Sequence, residues 1–357
     1  MKVLVVGDAM IPGKEIGAAA EKYFSKYGAT VEVMDWKTKD KVELQNRRIN
    51  VEKNGPAAEA PPAGMMQKVA DADILLVHYT PVARGVFEVA KHLKIAGTCR
   101  AGLENLDVQA ATDHKVAAFN IMGRNAEAVS DFAMGLMLAE ARNIARSHAA
   151  LKQGKWLKEF SNVASIPNMH EKTIGLVGFG YVGQLMAQKA KGFKMKVLVY
   201  DPYVPDEAIL QHGAKKETIE TIFKVCDFVS VHARLTDATK GLINANLINS
   251  MKPTAYLINT ARAGLIVHES LYKALKEKRI CGAALDVFET EPLPEGHLLL
   301  ALDNVTITSH LAGTTVESLT DSPRLLVEDI DLLLSGKTPR WVKNTEVLTG
   351  FIPVEKW

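Results

Sequence analysis

Short apolar runs, many of them β-branched, alternate along the chain with longer mixed stretches of helical spacing. The runs at Lys2–Val6, Thr30–Met34, Asp73–Val77, Val116–Phe119, Thr173–Val177, Lys196–Tyr200, Phe228–Val231, Ala255–Asn259, Gly282–Val287 and Val305–Thr308 predict strands. Several are apolar throughout, the pattern of strands covered on both faces. Helices fit between most of them, which predicts an α/β fold with parallel sheets and right-handed crossovers. The strands fall into two sets, one before about residue 120 and one after about residue 170. Between the sets, Asn125–Leu151 reads as one long helix, its Ala126, Ala128, Ala133 and Gly135 allowing close packing. Thr315–Ser335 reads as another, with Leu325, Leu326, Leu332 and Leu333 on an apolar face. The Pro- and Gly-rich stretch 54–64 predicts a surface loop. Lys337–Trp357 has no clear period and reads as an arm that packs on a neighbour.

A length of 357 residues suits two domains better than one. The hydrophobic share of 47% and charged share of 24% are those of a globular protein, not of a disordered one. Net charge is +2, without a Lys/Arg cluster, so nothing argues for nucleic acid. No segment approaches the roughly 18 apolar residues of a membrane span, and the opening Met1–Gly7 run lacks a signal-peptide cleavage site. Cys99, Cys226 and Cys281 are scattered and form no CxxC pair. They fit buried thiols in a reducing compartment, which predicts a cytoplasmic protein without a metal site.

The sharpest motif is Gly178-Phe179-Gly180-Tyr181-Val182-Gly183, a GxGxxG that follows the strand Thr173–Val177 and opens a helix over Gln184–Lys191. Gly178 permits the tight turn, Gly180 lets a pyrophosphate approach the backbone, and Gly183 lets helix and strand pack closely. The helix N-terminus offers N–H groups to the phosphates. The next strand ends at Asp201, which lies 18 residues past Gly183, near the roughly 20 expected of a ribose-binding acid. A carboxylate there repels a 2′-phosphate, so the motif predicts NAD over NADP. Val6-Gly7-Asp8-Ala9 lacks a third glycine and reads as an ordinary strand-to-helix turn.

Three later strands end in polar loops: Asn259-Thr260-Ala261-Arg262-Ala263-Gly264, Asp286-Val287-Phe288-Glu289-Thr290-Glu291-Pro292 and Ser309-His310-Leu311-Ala312-Gly313. In parallel sheets ligands bind at the carboxyl ends of strands, so these loops should gather at one edge. With the glycine motif and its acid, they make the sequence resemble the D-isomer-specific 2-hydroxyacid dehydrogenases over nearly the whole chain, to about residue 336. The resemblance implies two Rossmann-like domains. A cofactor domain, 125–315, is inserted into a discontinuous flavodoxin-like substrate domain, 1–124 and 316–357. It implies interconversion of an (R)-2-hydroxy acid and its 2-oxo acid. Arg262 would grip the substrate carboxylate and carbonyl, His310 would act as acid and base, and Glu291 would orient it. Backbone groups at Tyr181, Val182 and Thr260, the Asp286 carboxylate, and the segments around Ala261, Arg262, His310 and Gly313 would border the cofactor. His232 matches a histidine near the cofactor in relatives; the alternative is a packed core histidine. The helix after residue 125 and the C-terminal arm resemble parts that pair subunits, which implies a homodimer.

The loop Thr98–Asn105 matches the family's substrate loop, with N–H groups of Arg100, Ala101 and Gly102 placed for a carboxylate. Arg100 stands where many relatives carry a small residue. It suits a sugar acid or phosphorylated acid, unless it points to solvent; Arg124 and Arg234 lie in further candidate loops. Two alternatives share the motifs: a phosphite-type dehydrogenase and an NAD-sensing, corepressor-like scaffold.

Overall fold

The structure, a computed structural model, describes residues 1–351 and 354. The chain forms two compact units, Met1–Arg124 with Thr315–Trp357, and Asn125–Thr314. Along the chain, the second is inserted into the first.

The first unit is built on five parallel strands, β1 (Lys2–Gly7), β2 (Thr30–Asp35), β3 (Ile74–Val77), β4 (Ile95–Thr98) and β5 (Ala117–Phe119), in the order β2-β1-β3-β4-β5. Successive side chains of a strand point to opposite faces. Leu4, Val6, Leu75 and Val77 therefore pack with Trp36, Val69 and Phe87 on one side. Val3, Val5, Ile74 and Leu76 pack on the other with Ile16 and Phe24 of the helix Gly13–Phe24 and with Leu326, Val327 and Ile330 of the helix Val316–Leu334. The pattern of apolar runs did not predict β4. Its Ile-Ala-Gly-Thr sequence is small because the C-terminal helix lies on it: a Cβ added at Gly97 would sit 3.1 Å from Leu326.

The second unit carries seven parallel strands, β6 (Thr173–Val177), β7 (Lys196–Tyr200), β8 (Lys215–Lys216), β9 (Phe228–Val231), β10 (Tyr256–Asn259), β11 (Gly282–Leu285) and β12 (Val305–Ile307). Their order is β12-β11-β10-β9-β6-β7-β8. The direction of winding reverses between β6 and β9, the topological switch where open α/β sheets take their ligands. The two-residue edge strand β8 was too short to leave a sequence signal.

Two expectations need correction. Asn125–Leu151 is not one helix but two, Ala126–Ala141 and Ile144–Lys152. Asn143 breaks it with a left-handed φ of 60°, a conformation asparagine tolerates, and its amide donates to Asn162 Oδ1 at 2.7 Å. Arg146 closes over the break onto the Glu140 carboxylate. The C-terminal arm, as far as it is described, packs on its own unit. Trp341 N–H donates to Asp329 Oδ2 at 2.9 Å, Ala118 N–H donates to Asn344 Oδ1 at 2.8 Å, and Val342 pairs antiparallel with Phe119. Residues 352, 353 and 355–357 of that arm lie outside the described residues. Among the described residues, no helix is long and apolar enough to cross a membrane.

Candidate active site

The loops after β10, β11 and β12 each use a buried polar side chain to hold their own backbone. Asn259, 1% exposed, accepts from Ala261 N–H and donates to the Arg262 carbonyl, both at 3.0 Å. The Asn-x-Ala-Arg spacing is thus a side-chain clamp on a turn, and it leaves the Arg262 side chain exposed. The Ala261 N–H is committed to this clamp.

Asp286 does the same for the histidine loop. Its Oδ1 accepts from Thr308 Oγ1 at 2.6 Å and Leu311 N–H at 2.9 Å, and its Oδ2 accepts from Ala312 N–H at 2.8 Å. The residue is wholly buried. The sequence reading set this carboxylate beside the cofactor; in the structure both of its oxygens also hold the histidine loop. The anchored N–H groups follow His310 directly, which itself has a left-handed φ of 57°. Such a backbone is costly for a non-glycine residue and persists where its surroundings hold it. Gly313 ends the turn against Asn125, whose amide would lie 2.6 Å from an added Cβ.

Glu291 and His310 come together. His310 Nδ1 lies 2.7 Å from Glu291 Oε2, while Glu291 Oε1 accepts from Phe288 N–H at 3.0 Å. Burial pushes the Glu291 carboxyl up, but the His310 and Phe288 hydrogen bonds and the charges of His310 and Arg262 outweigh it and hold the group below the ordinary carboxylate range. The Arg262 charge is therefore felt at the pair. With Nδ1 committed to Glu291, Nε2 is the histidine nitrogen that can meet a substrate.

The glycine loop fits a dinucleotide. Gly178 has φ 98°, and a Cβ there would lie 2.5 Å from Ala233 N; at Gly183 it would lie 2.4 Å from Gly178 O. Gly180 differs: nothing lies within 4 Å of its added Cβ, so that space is open for a bound group. The helix begins at Tyr181, earlier than its sequence suggests, so Tyr181, Val182 and Gly183 form the first turn, whose N–H groups a helix cannot satisfy internally. Asp201 reaches the same loop and accepts from Phe179 N–H at 2.8 Å. Thr260 Oγ1 is buried at the end of β10 and has no hydrogen-bond partner among the described residues, as expected of an atom that a cofactor completes. His232 N–H donates to Val177 O at 2.8 Å and its Nε2 lies 2.9 Å from Ser230 Oγ. Burial pushes the imidazole down to about 3, so it is neutral at ordinary pH.

In the first unit, Arg100 does not point to solvent. It is 7% exposed, lies 4.4 Å over the Tyr79 ring and pairs with Glu52 at 2.7 Å and Glu104 at 3.4 Å. Ala101 and Gly102 adjoin it; Asn120 Nδ2 donates to Ala101 O at 2.5 Å. Arg124 donates to Ser318 O at 2.9 Å, and Arg234 is exposed. Sequence reasoning missed one feature outright: Asp8, taken as a plain turn residue, is buried against His78 Nδ1 at 2.9 Å. Nothing in the local sequence signals that pairing, because 70 residues separate the two.

Comparison with known proteins agrees with this architecture. Residues 134–312 match the family described as D-isomer specific 2-hydroxyacid dehydrogenase, NAD binding domain. The chain is 39% identical to a D-3-phosphoglycerate dehydrogenase of Methanocaldococcus jannaschii over 78% of its own length and 53% of that protein's. It is also 39% identical to a hydroxypyruvate reductase of Thermotoga maritima, over 71% of its length and 82% of the relative's. The NAD-complexed D-isomer specific 2-hydroxyacid dehydrogenase of Lactobacillus delbrueckii ssp. bulgaricus shares the fold with a TM-score of 0.73 at 19% identity, over 96% of this chain and all of that one. The chain belongs to the D-isomer-specific 2-hydroxyacid dehydrogenases, a family of NAD-binding oxidoreductases.

Proposed function

We propose that the protein interconverts an (R)-2-hydroxy acid and its 2-oxo acid, with His310 as proton donor and acceptor. The observation that carries this reading is the His310–Glu291 contact beside a loop that projects Arg262. Arg262 binds the substrate carboxylate and the C2 oxygen, since a guanidinium meets a planar anion with two parallel N–H donors. His310 Nε2 takes the hydroxyl proton in oxidation and returns it to the carbonyl oxygen in reduction. Glu291 fixes the ring's orientation and favours the imidazolium. NAD supplies the hydride-carrying chemistry; the glycine loop, Asp201 and Thr260 are the residues that would hold it.

Two further parts belong to this proposal. The chain acts as a homodimer, supported by the apolar side chains exposed between residues 144 and 166, among them Ile144, Leu151, Val163 and Trp156, the last 76% exposed. It works in the cytoplasm, supported by three free thiols at Cys99, Cys226 and Cys281. Gel filtration giving a monomer at micromolar concentration would contradict the dimer.

The test is loss of NADH absorbance with a panel of 2-oxo acids. Turnover is expected in the wild type, with Arg262→Ala and His310→Ala lowering kcat/KM by about a hundredfold or more. NADH binding without turnover of any 2-oxo acid would replace the enzyme with a cofactor-sensing scaffold.

A further inference from the structure

Strands β6, β9 and β10 end level with one another. Val231, the last residue of β9, is the register partner of Val177 in β6 on one side and of Asn259 in β10 on the other. The glycine loop follows Val177 and the arginine loop follows Asn259, so the β9 loop, from His232 to Arg234 and beyond, lies between them. A dinucleotide with its pyrophosphate on the glycine loop and its nicotinamide toward Arg262 has to cross that middle loop.

The middle loop is held from both sides. A Cβ added at Gly178 would lie 2.5 Å from Ala233 N, and one added at Gly264 would lie 3.2 Å from Leu235 Cδ2. Gly241 N–H donates to the Gly264 carbonyl at 2.8 Å. Thr239 Oγ1 donates to the Arg234 carbonyl at 2.7 Å and accepts from Thr236 N–H at 2.8 Å. Arg234 is thus an exposed side chain on a fixed backbone, one residue from contact with either neighbouring loop.

Charge shows what this edge lacks. Gly178–Gly183 contains no cation, and the acid beside it is Asp201. The first lysine of the helix that follows, Lys189, pairs with Glu127 at 2.7 Å and Asp131 at 3.2 Å. Arg234 has no acidic partner among the described residues. Thr260 gives an independent sign of a ligand here. It follows Asn259 and so flanks His232; it is 6% exposed, and its Oγ1 lacks a partner among the described residues. Helix-end N–H groups offer a pyrophosphate only partial positive charge. A guanidinium offers a full charge and two parallel N–H donors to phosphate oxygens.

We propose that Arg234 is a further cofactor-binding residue, its guanidinium pairing with the pyrophosphate of NAD. The proposal rests on the NAD site described above and is independent of which 2-oxo acid is reduced.

The test is fluorescence titration of NADH into the wild type, Arg234→Lys and Arg234→Gln. The side chain is exposed, so both variants should melt with the wild type. Arg234→Gln should raise the Kd about tenfold, and Arg234→Lys, which keeps the charge but loses the fork, about threefold. Raising salt should weaken NADH binding more steeply in the wild type than in Arg234→Gln. ADP-ribose, which keeps the pyrophosphate and lacks the nicotinamide, should lose the same factor when it competes with NADH. Unchanged NADH affinity in Arg234→Gln leaves the arginine to solvent and overturns the proposal. A loss for NADH that ADP-ribose does not share puts the cation at the nicotinamide end and overturns it too. So does a rise in KM for a 2-oxo acid with the NADH Kd unmoved. The titration needs no turnover: a protein inert toward every 2-oxo acid would sink the dehydrogenase reading, and NADH binding would still decide the part played by Arg234.

Discussion

His310 Nδ1 meets Glu291 Oε2 at 2.7 Å although their side chains are 48% and 36% exposed. An ion pair this open to water contributes little to folding. Its effect lies in orientation: it fixes which imidazole nitrogen faces outward. Glu291→Gln should therefore lower kcat/KM by about tenfold to a hundredfold while leaving the melting temperature almost unchanged. Because the folded carboxyl titrates below its ordinary 4.5, the pairing is complete above that value and is lost only as pH falls through the lower folded one. The wild type's acid limb should carry that loss, and the Gln variant should lack it. An identical pH–rate profile in both proteins would refute the role.

Asp286 offers the opposite balance. It is wholly buried, and three donors from the 308–312 segment converge on it. Asp286→Asn replaces one acceptor with an amide that faces donors, so unfolding free energy should fall by about 1–3 kcal/mol. Activity should fall with it, since the His310 backbone depends on those contacts. Denaturant melts and kinetics on the same preparation test both.

Two glycines of one motif should separate folding from cofactor binding. Gly178→Ala drives a Cβ into the Ala233 backbone and strains a φ of 98°, so it should destabilise the protein. Gly180→Ala meets no protein atom within 4 Å and has an ordinary φ of −73°. Its stability should match the wild type, while the Kd for NADH, read by fluorescence titration, rises about tenfold or more. Equal NADH affinity would remove Gly180 from the binding surface.

His232 makes a pH-dependent prediction. A histidine kept neutral down to about 3 binds no proton when folded but binds one when unfolded below its ordinary 6.5. Stability should thus fall as pH drops from 6.5 towards 3, and be unaffected by this group above 6.5. The buried His78 adds a loss in the same direction. His232→Gln should show a shallower decline in Tm across that window.

The sequence made legible whatever was encoded locally. Apolar runs such as Ile174–Val177 announced their strands, and GxGxxG with Asp201 announced a nucleotide loop. What stayed hidden depended on distant partners. β4 looked featureless because Gly97 is shaped by Leu326, more than two hundred residues along the chain. Asn143 read as one more helical residue until its bond to Asn162 was seen. The loop-holding part of Asp286 was hidden because its donors, at Thr308, Leu311 and Ala312, lie more than twenty residues further along the chain. Asp8 and His78 carried no signal because neither motif nor period links them.

The helix Val316–Leu334 supplies Leu326, Val327 and Ile330 to the core of a sheet whose strands all lie before residue 120. During synthesis, then, the first strands must wait, one face covered only by the helix Gly13–Phe24, while the ribosome completes the whole inserted unit. That unit holds every one of its own strands and can finish first. Nascent-chain order runs opposite to sequence order here, and the earliest residues made are among the last to be sealed.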